Sequence, residues 1–334
     1  MVEQDERRRS SMRAVVVKAP GPVEALEFAE VPEPSPGAGE LTIDVAYAGV
    51  GFVDTLFRSG AFGVPTPFTP GIEVTGHVRE VGPGVTGFVP GQPVAALLND
   101  FGRGMRAGGY AEVAVAHSAM AVGLPDDTDL ARVAAALVNG VTAWMALHDL
   151  ARIGVHDNVL VLGASGGLGS VAGRIAAVHP ARTVTGVFGR TPDGPSATDP
   201  WTRTIGTDGL DGIAPGEVDV VVDPVGGELS RRAYQLLAPF GRLVVLGNAS
   251  GQEHPVTTDS AWLGTRQLLG LSLGGVAHLV PDRVTAALSA VVALVRRDVL
   301  REPAPAVLPL DRVADVHRAL EQREAPAKTV LAVR

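Results

Sequence analysis

The chain has 334 residues, 46% of them hydrophobic, a net charge of −8 and no cysteine. This length suggests about two domains with ample core, which excludes a disordered or fibrous chain. The missing cysteines remove disulfides, thiolate metal ligands and a cysteine nucleophile together, and the acidic balance gives no general reason to expect nucleic-acid binding.

The opening MVEQDERRRSS carries charge with no apolar segment behind it, and residues 1–11 are expected to be disordered. No uninterrupted apolar run reads as long enough to cross a bilayer, so the expectation is a cytoplasmic protein without membrane contact. Short β segments at 12–18, 41–46, 74–81, 93–98 and 111–116, separated by Gly and Pro turns, predict a compact, barrel-like β domain. Two fragments within it stand out, AGVGFVDTLFRSG at 48–60 and PGIEVTG at 70–76.

A different rhythm follows. Asn158 to Leu162 is a continuous apolar run, and Gly167 to Val178 can form an apolar-faced helix, so strand, tight turn and helix start succeed one another. Between them, Gly163, Gly166 and Gly169 allow a sharp turn, close approach to a pyrophosphate and tight helix packing. Backbone N–H groups and the helix dipole then favour phosphate. The cofactor-binding set on this turn is Gly163, Ala164, Ser165, Gly166, Gly167, Leu168 and Gly169.

About 20 residues further on, where an acidic side chain would grip a ribose hydroxyl, the strand Thr183 to Phe188 ends in Gly189 and Arg190. A guanidinium there suits a 2′-phosphate and favours NADPH over NADH; a solvated loop charge is the alternative. Val218 to Asp223 reads as another buried strand, followed by PVGG and a helix through Leu237, and 242–247 repeats the pattern. Strands alternating with helices predict a doubly wound parallel sheet. Thr191 to Pro215, with four prolines, predicts an irregular crossover. The tail reads as helices over 281–295 and 311–321 and a strand over 329–333, expected to return to the first domain.

With these fragments in hand, the chain resembles the medium-chain dehydrogenase/reductases, specifically their zinc-independent quinone oxidoreductase and enoyl reductase branch. The marks are the 48–60 and 70–76 fragments, GGYAE at 108–112, NGVTAW at 139–144, GASGGLG, VDPVGG and the closing KTVL. The resemblance implies an α/β architecture: a β-rich GroES-like catalytic domain over 1–130 and 274–334, and a Rossmann NADP(H)-binding domain over 131–273. Zinc-dependent relatives bind their metal at positions matching Gly51, Ile72 and Val138, none of which can ligate zinc. No metal is therefore expected, and none of the eight histidines shows metal-ligand spacing.

The branch reduces activated C=C bonds or quinones, so an enone, enoyl thioester or quinone is the implied small-molecule substrate, and relatives imply a homodimer. Quinone reductases commonly carry Asn and Tyr at the positions of Gly51 and Leu56; this chain has lost both polar handles. The pocket-lining candidates are Gly51, Asp54, Leu56, Asn139 and Thr142. Asn139 and Thr142 are candidate replacement donors, with Tyr47, Tyr110 and His77 more remote. Asp54 is expected to be a structural carboxylate paired with loop backbone or Arg58, and Glu73 to anchor its motif by hydrogen bonds. Thr142 is expected to cap a helix and touch the cofactor. Gly247, Asn248, Leu273 and Gly274 are further cofactor contacts by analogy, and Lys328 is a phosphate contact or an exposed charge. A redox-neutral cyclase, isomerase or cofactor-binding sensor is the alternative to a reductase.

Overall fold

Strands in the first unit form where β-branched residues alternate with small ones between Gly and Pro turns. The computed structural model describes residues 11–98, 108–179, 181–189, 200–253, 255–300, 304–325 and 328–334. The chain divides into two compact units: residues 1–138, 277–292 and 302–334 form one, and residues 139–276 with 293–301 form the other. The edge thus falls at Val138/Asn139, inside a helix, where the expected edge was at 130/131. Of the stretch 274–334, residues 277–292 and 302–334 group with the first unit and 274–276 and 293–301 with the second.

The first unit contains a seven-stranded sheet whose path runs Ala306–Pro309, Thr329–Ala332, Glu40–Val50, Glu73–Val81, Pro93–Leu97 and Ala121–Gly123, with Val113–His117 paired to Glu40–Val50 off that path. Antiparallel pairing seats Glu73 opposite Leu97 and Ala48 opposite Val74. A separate antiparallel pair joins Ser11–Val17 to Leu26–Pro32. Ser11 thus belongs to a strand, not to the disordered segment expected, and residues 1–10 lie outside the described residues. Leu41, Ile43, Val45, Val74, Val94, Tyr110 and Leu331 bury one shared core.

The second unit is a six-stranded parallel sheet in the order Arg203–Gly206, Thr183–Phe188, Asn158–Leu162, Val218–Asp223, Leu237–Val245 and Gln267–Gly270. In chain order this is 3-2-1-4-5-6, the doubly wound dinucleotide-binding arrangement. Leu160, Leu162, Val221, Leu237 and Leu243 pack in its core. Arg242, on Leu237–Val245, ties that strand to the segment leading into Asn158–Leu162: its guanidinium donates twice to Asp157 and twice to the carbonyl of Ala151. Planar, bidentate pairing of this kind is geometrically specific. Where an irregular crossover was expected over 191–215, the described residues hold the sheet strand Arg203–Gly206 followed by a 3-10 turn at Thr207–Gly212; residues 190–199, Arg190 included, lie outside them.

Two sequence expectations change here. The segment around NGVTAW lies inside an α-helix, Leu130–Met145, continued by a π-helical stretch over Ala146–Ala151. Thr142 therefore caps nothing; it is buried in the last turn, because the helix continues past Asn139 and Gly140 on an apolar face whose burial outweighs their weak propensity. By length and composition, this 22-residue segment, Leu130–Ala151, is also apolar enough to span a bilayer, contrary to expectation. Its most apolar window is 61% buried within the protein, as in the core helix of a globular protein.

Candidate active site

In the second unit the turn after Asn158–Leu162 is built by glycine sterics. Gly163 takes φ +62°, and a Cβ at Gly169 would meet the Gly163 carbonyl oxygen at 2.2 Å. Only glycine permits both. The helix Gly167–Val178 begins behind Gly166, which offers no side-chain cap, and Ser165, Gly166 and Gly167 are exposed. Its first-turn N–H groups can therefore meet a phosphate, so the residues present fit a dinucleotide. Ala164 is held by its N–H on the Val187 carbonyl, 2.9 Å away. Asn139 sits against this turn: a Cβ on Gly167 would fall 2.7 Å from its Nδ2.

The end of the fourth strand carries a polar device that sequence reasoning did not single out. Asp223 Oδ1 accepts the N–H groups of Val225 and Gly226 at 2.8 and 2.9 Å, and Oδ2 is buried without a hydrogen-bond partner among described residues. The signal was present in Asp-Pro-Val-Gly-Gly, an Asx-type turn sequence. Gly247 and Asn248 adjoin the same turn, since a Cβ on Gly226 would meet Asn248 Oδ1 at 2.6 Å. Leu273 and Gly274 open a four-residue helical turn, Leu273–Val276.

In the first unit, the 48–60 fragment forms the end of strand Glu40–Val50 and helix Phe52–Ser59. Asp54, at the third position of that helix, reaches back so that its Oδ2 accepts the Gly51 N–H at 2.8 Å. Its Oδ1 is buried with no hydrogen-bond partner among described residues. Burial lifts the carboxyl to about 7, with the nearby Glu73 adding to the rise, while the Gly51 N–H and Lys328 oppose it. Of the two expected partners, loop backbone and Arg58, Asp54 takes the backbone. Arg58 instead turns to Glu321, to the Gly21 carbonyl at 3.2 Å and to His317 Nδ1 at 3.5 Å. Leu56, on the same helix, is half-buried.

Glu73 is 1% exposed and doubly engaged. Its Oε1 accepts from Lys328 Nζ at 2.6 Å and its Oε2 from the Val138 N–H at 2.7 Å. Gly49 makes room for it, because a Cβ there would strike the carboxyl group at 2.5 Å. Lys328, expected as a phosphate contact or an exposed charge, is the buried partner of this pair, its side chain 8% exposed. Tyr110 is fully buried, its hydroxyl 3.3 Å from His317 Nε2. Burial, with Asp54 and Glu73 nearby, holds that phenol well above its usual range. His77 is exposed on its strand, and Tyr47 packs beside Ala134 and Val330. Neither joins the Asp54, Glu73 and Lys328 group. No cluster of metal-ligating side chains occurs among the described residues.

Comparison with known proteins gives the family of the chain. The profile of the alcohol dehydrogenase GroES-like domain matches residues 37–126, and that of zinc-binding dehydrogenases matches residues 198–331. The mouse synaptic vesicle membrane protein VAT-1 homolog is 30% identical over 89% of this chain and 77% of its own length. A Burkholderia 2-haloacrylate reductase is 28% identical over 96% of this chain and 98% of its own. Solved structures of a mycobacterial quinone oxidoreductase and of mycobacterial Rv1454c complexed with NADPH superpose with TM-scores of 0.81 and 0.83. They are 26% and 27% identical, and each match covers 97% of this chain and 100% of the other.

Proposed function

For a chain that belongs to the medium-chain dehydrogenase/reductase superfamily, in its zinc-independent quinone oxidoreductase branch, we propose an NADPH-dependent, metal-free reductase of an activated C=C bond or a quinone. The observation that carries this reading is the glycine turn from Gly163 to Gly169, whose positive φ, close backbone packing and uncapped helix start fit a pyrophosphate. The NADPH-bound structural relative and the 2-haloacrylate reductase support it.

Bound NADPH supplies a hydride. Gly163 to Gly169 hold the pyrophosphate, Gly189 and Arg190 select the 2′-phosphate, and Asn139, Thr142, Gly247, Asn248, Leu273 and Gly274 complete the cofactor contacts. In the first unit, Gly51 and Leu56 offer apolar room for a bulky enone, enoyl thioester or quinone. At the positions where zinc-dependent relatives hold their metal, this chain has Gly51, Ile72 and Val138, none of which can ligate a zinc that would polarise the substrate carbonyl.

The protein is further proposed to be a cytoplasmic homodimer. Gln267–Gly270 is an edge strand of the second sheet with Leu268 exposed, and the preceding helix Thr258–Gly264 exposes Trp262 and Leu263. An open, apolar sheet edge invites pairing with another copy.

The test is a fluorescence titration of NADPH against NADH, followed by a scan of enones, enoyl thioesters and quinones for NADPH oxidation. Preference for NADPH that weakens in Arg190→Ala, with turnover of one acceptor class, supports the reading. Tight binding with no turnover sinks it and favours the redox-neutral alternative.

A further inference from the structure

We propose that Lys328 is a catalytic residue: its ammonium, held by Glu73 in the space vacated at Gly51, donates a hydrogen bond to the substrate carbonyl oxygen. This rests on the reductase reading and supplies the polar group that Gly51 and Leu56 lack.

Three observations converge. First, the Lys328–Glu73 pair is gathered at the three positions where zinc-dependent relatives place their metal. Glu73 follows Ile72 directly, its Oε2 accepts the Val138 N–H, and a Cβ built on Gly51 would lie 3.9 Å from Lys328 Nζ. Second, the fold does not require glycine at 51. Its φ of −122° suits any residue, and an added Cβ would make only ordinary contacts, 3.6 Å to Asp54 Oδ2 and 3.7 Å to Val53. The missing side chain therefore leaves a space bounded by the ammonium and the Asp54 carboxyl. Third, an ammonium carries three N–H donors, and Glu73 is its one hydrogen-bond partner among the described residues. Glu73 is correspondingly a positioning residue: doubly anchored, it fixes the ammonium without reaching the substrate.

The chemistry balances with this donor. When hydride adds to the β-carbon, the π electron pair of the C=C bond moves toward the carbonyl, and negative charge collects on its oxygen. Lys328 stabilises that charge without losing its proton. A proton from water then forms the new C–H bond at the α-carbon. A fixed cation in a water-poor site is the organic counterpart of a metal Lewis acid.

The experiment uses full-length Lys328→Met with 2-cyclohexen-1-one, and with 1,4-naphthoquinone as a second acceptor. Loss of one such donor lowers kcat by about 10²- to 10³-fold, while NADPH affinity by titration is unchanged. Since Lys328→Met alone leaves the Glu73 charge buried and unpaired, the double variant Glu73→Gln/Lys328→Met, which keeps an acceptor for Val138, provides a folded counterpart with the same loss. Introducing Gly51→Asn into Lys328→Met restores part of kcat by placing an amide donor in the same space. Independently of turnover, the carbonyl stretch of cyclohexenone bound with NADP⁺ shifts to lower frequency in the wild type and not in Lys328→Met. Wild-type kcat and carbonyl frequency in a folded, NADPH-binding double variant overturn the inference while leaving the reductase reading intact. Absence of any turnover in the wild type instead removes the reading on which it rests.

Discussion

Arg58 points Nη1 at Nδ1 of His317 across 3.5 Å, and since a guanidinium can only donate, the buried imidazole accepts there and carries its proton on Nε2, toward the Tyr110 hydroxyl. The tautomer is thus set by a partner 259 residues away in sequence. Burial, with Arg58 beside it, pushes His317 down to about 3.

A histidine that stays neutral when folded but protonates near 6.5 when unfolded gives stability that is complete above about pH 6.5 and is lost as pH falls toward 3. The slope approaches ~1.4 kcal/mol per pH unit within that window. His317→Gln, which can still accept from Arg58 and donate to Tyr110, is expected to melt lower than wild type at pH 7 and to lose less on acidification to pH 4. Parallel melting curves across that range, followed by circular dichroism, would count against this.

Asp54 works in the opposite sense. Its folded value near 7 exceeds the ordinary carboxylate value, so its contribution is present at low pH and is lost as pH rises through about 7. Asp54→Asn keeps an acceptor for the Gly51 N–H and removes the ionisation. Its melting temperature relative to wild type should climb between pH 5 and pH 8; a difference independent of pH shows that the carboxyl is not the titrating group.

At the cofactor turn, Gly169→Ala would place a methyl group 2.2 Å from the Gly163 carbonyl oxygen. Backbone cannot yield there without opening the turn, so NADPH fluorescence enhancement should disappear while the first unit retains its secondary structure. Retained wild-type affinity would show that the dinucleotide binds elsewhere.

The exposed edge of the second sheet gives a prediction about assembly. Leu268→Glu places charge on the edge strand Gln267–Gly270, and Trp262→Ala removes exposed apolar area from the helix that precedes it. Light scattering should report a dimer for the wild type and a monomer for Leu268→Glu. A wild-type monomer, or an unaltered dimer in the variant, rejects this interface.

Legibility in the sequence followed burial. Asn158–Leu162, Thr183–Phe188 and Val218–Asp223 could be read because their Val and Leu positions are mostly buried, which concentrates β-branched and apolar residues in short stretches. Leu26–Pro32 escaped notice because most of its positions are at least half exposed and it carries two glutamates and a proline. Leu130–Met145 was obscured by Asn139 and Gly140, locally helix-breaking residues overridden by packing. The glycine turn was visible because its chemistry is local. The partners of Glu73 and Arg58 were not: Lys328 lies 255 residues from the first and Glu321 lies 263 from the second, and no local pattern encodes such a meeting. Asp54 and Glu73 could be named from their motifs, but that Asp54 leaves Oδ1 without a partner among described residues while Glu73 engages both oxygens is a property of the folded chain.

Position 51 has a consequence for how such a protein changes over time. Because the backbone there lies in the extended region and an added Cβ meets only ordinary neighbours, a single codon change to a small residue that suits a helix N-cap, such as Ser or Asn, adds a side chain without backbone strain. Pocket volume and polarity at that point are thereby uncoupled from stability. Acceptor preference can drift, or be selected in a saturation library, along a nearly neutral path.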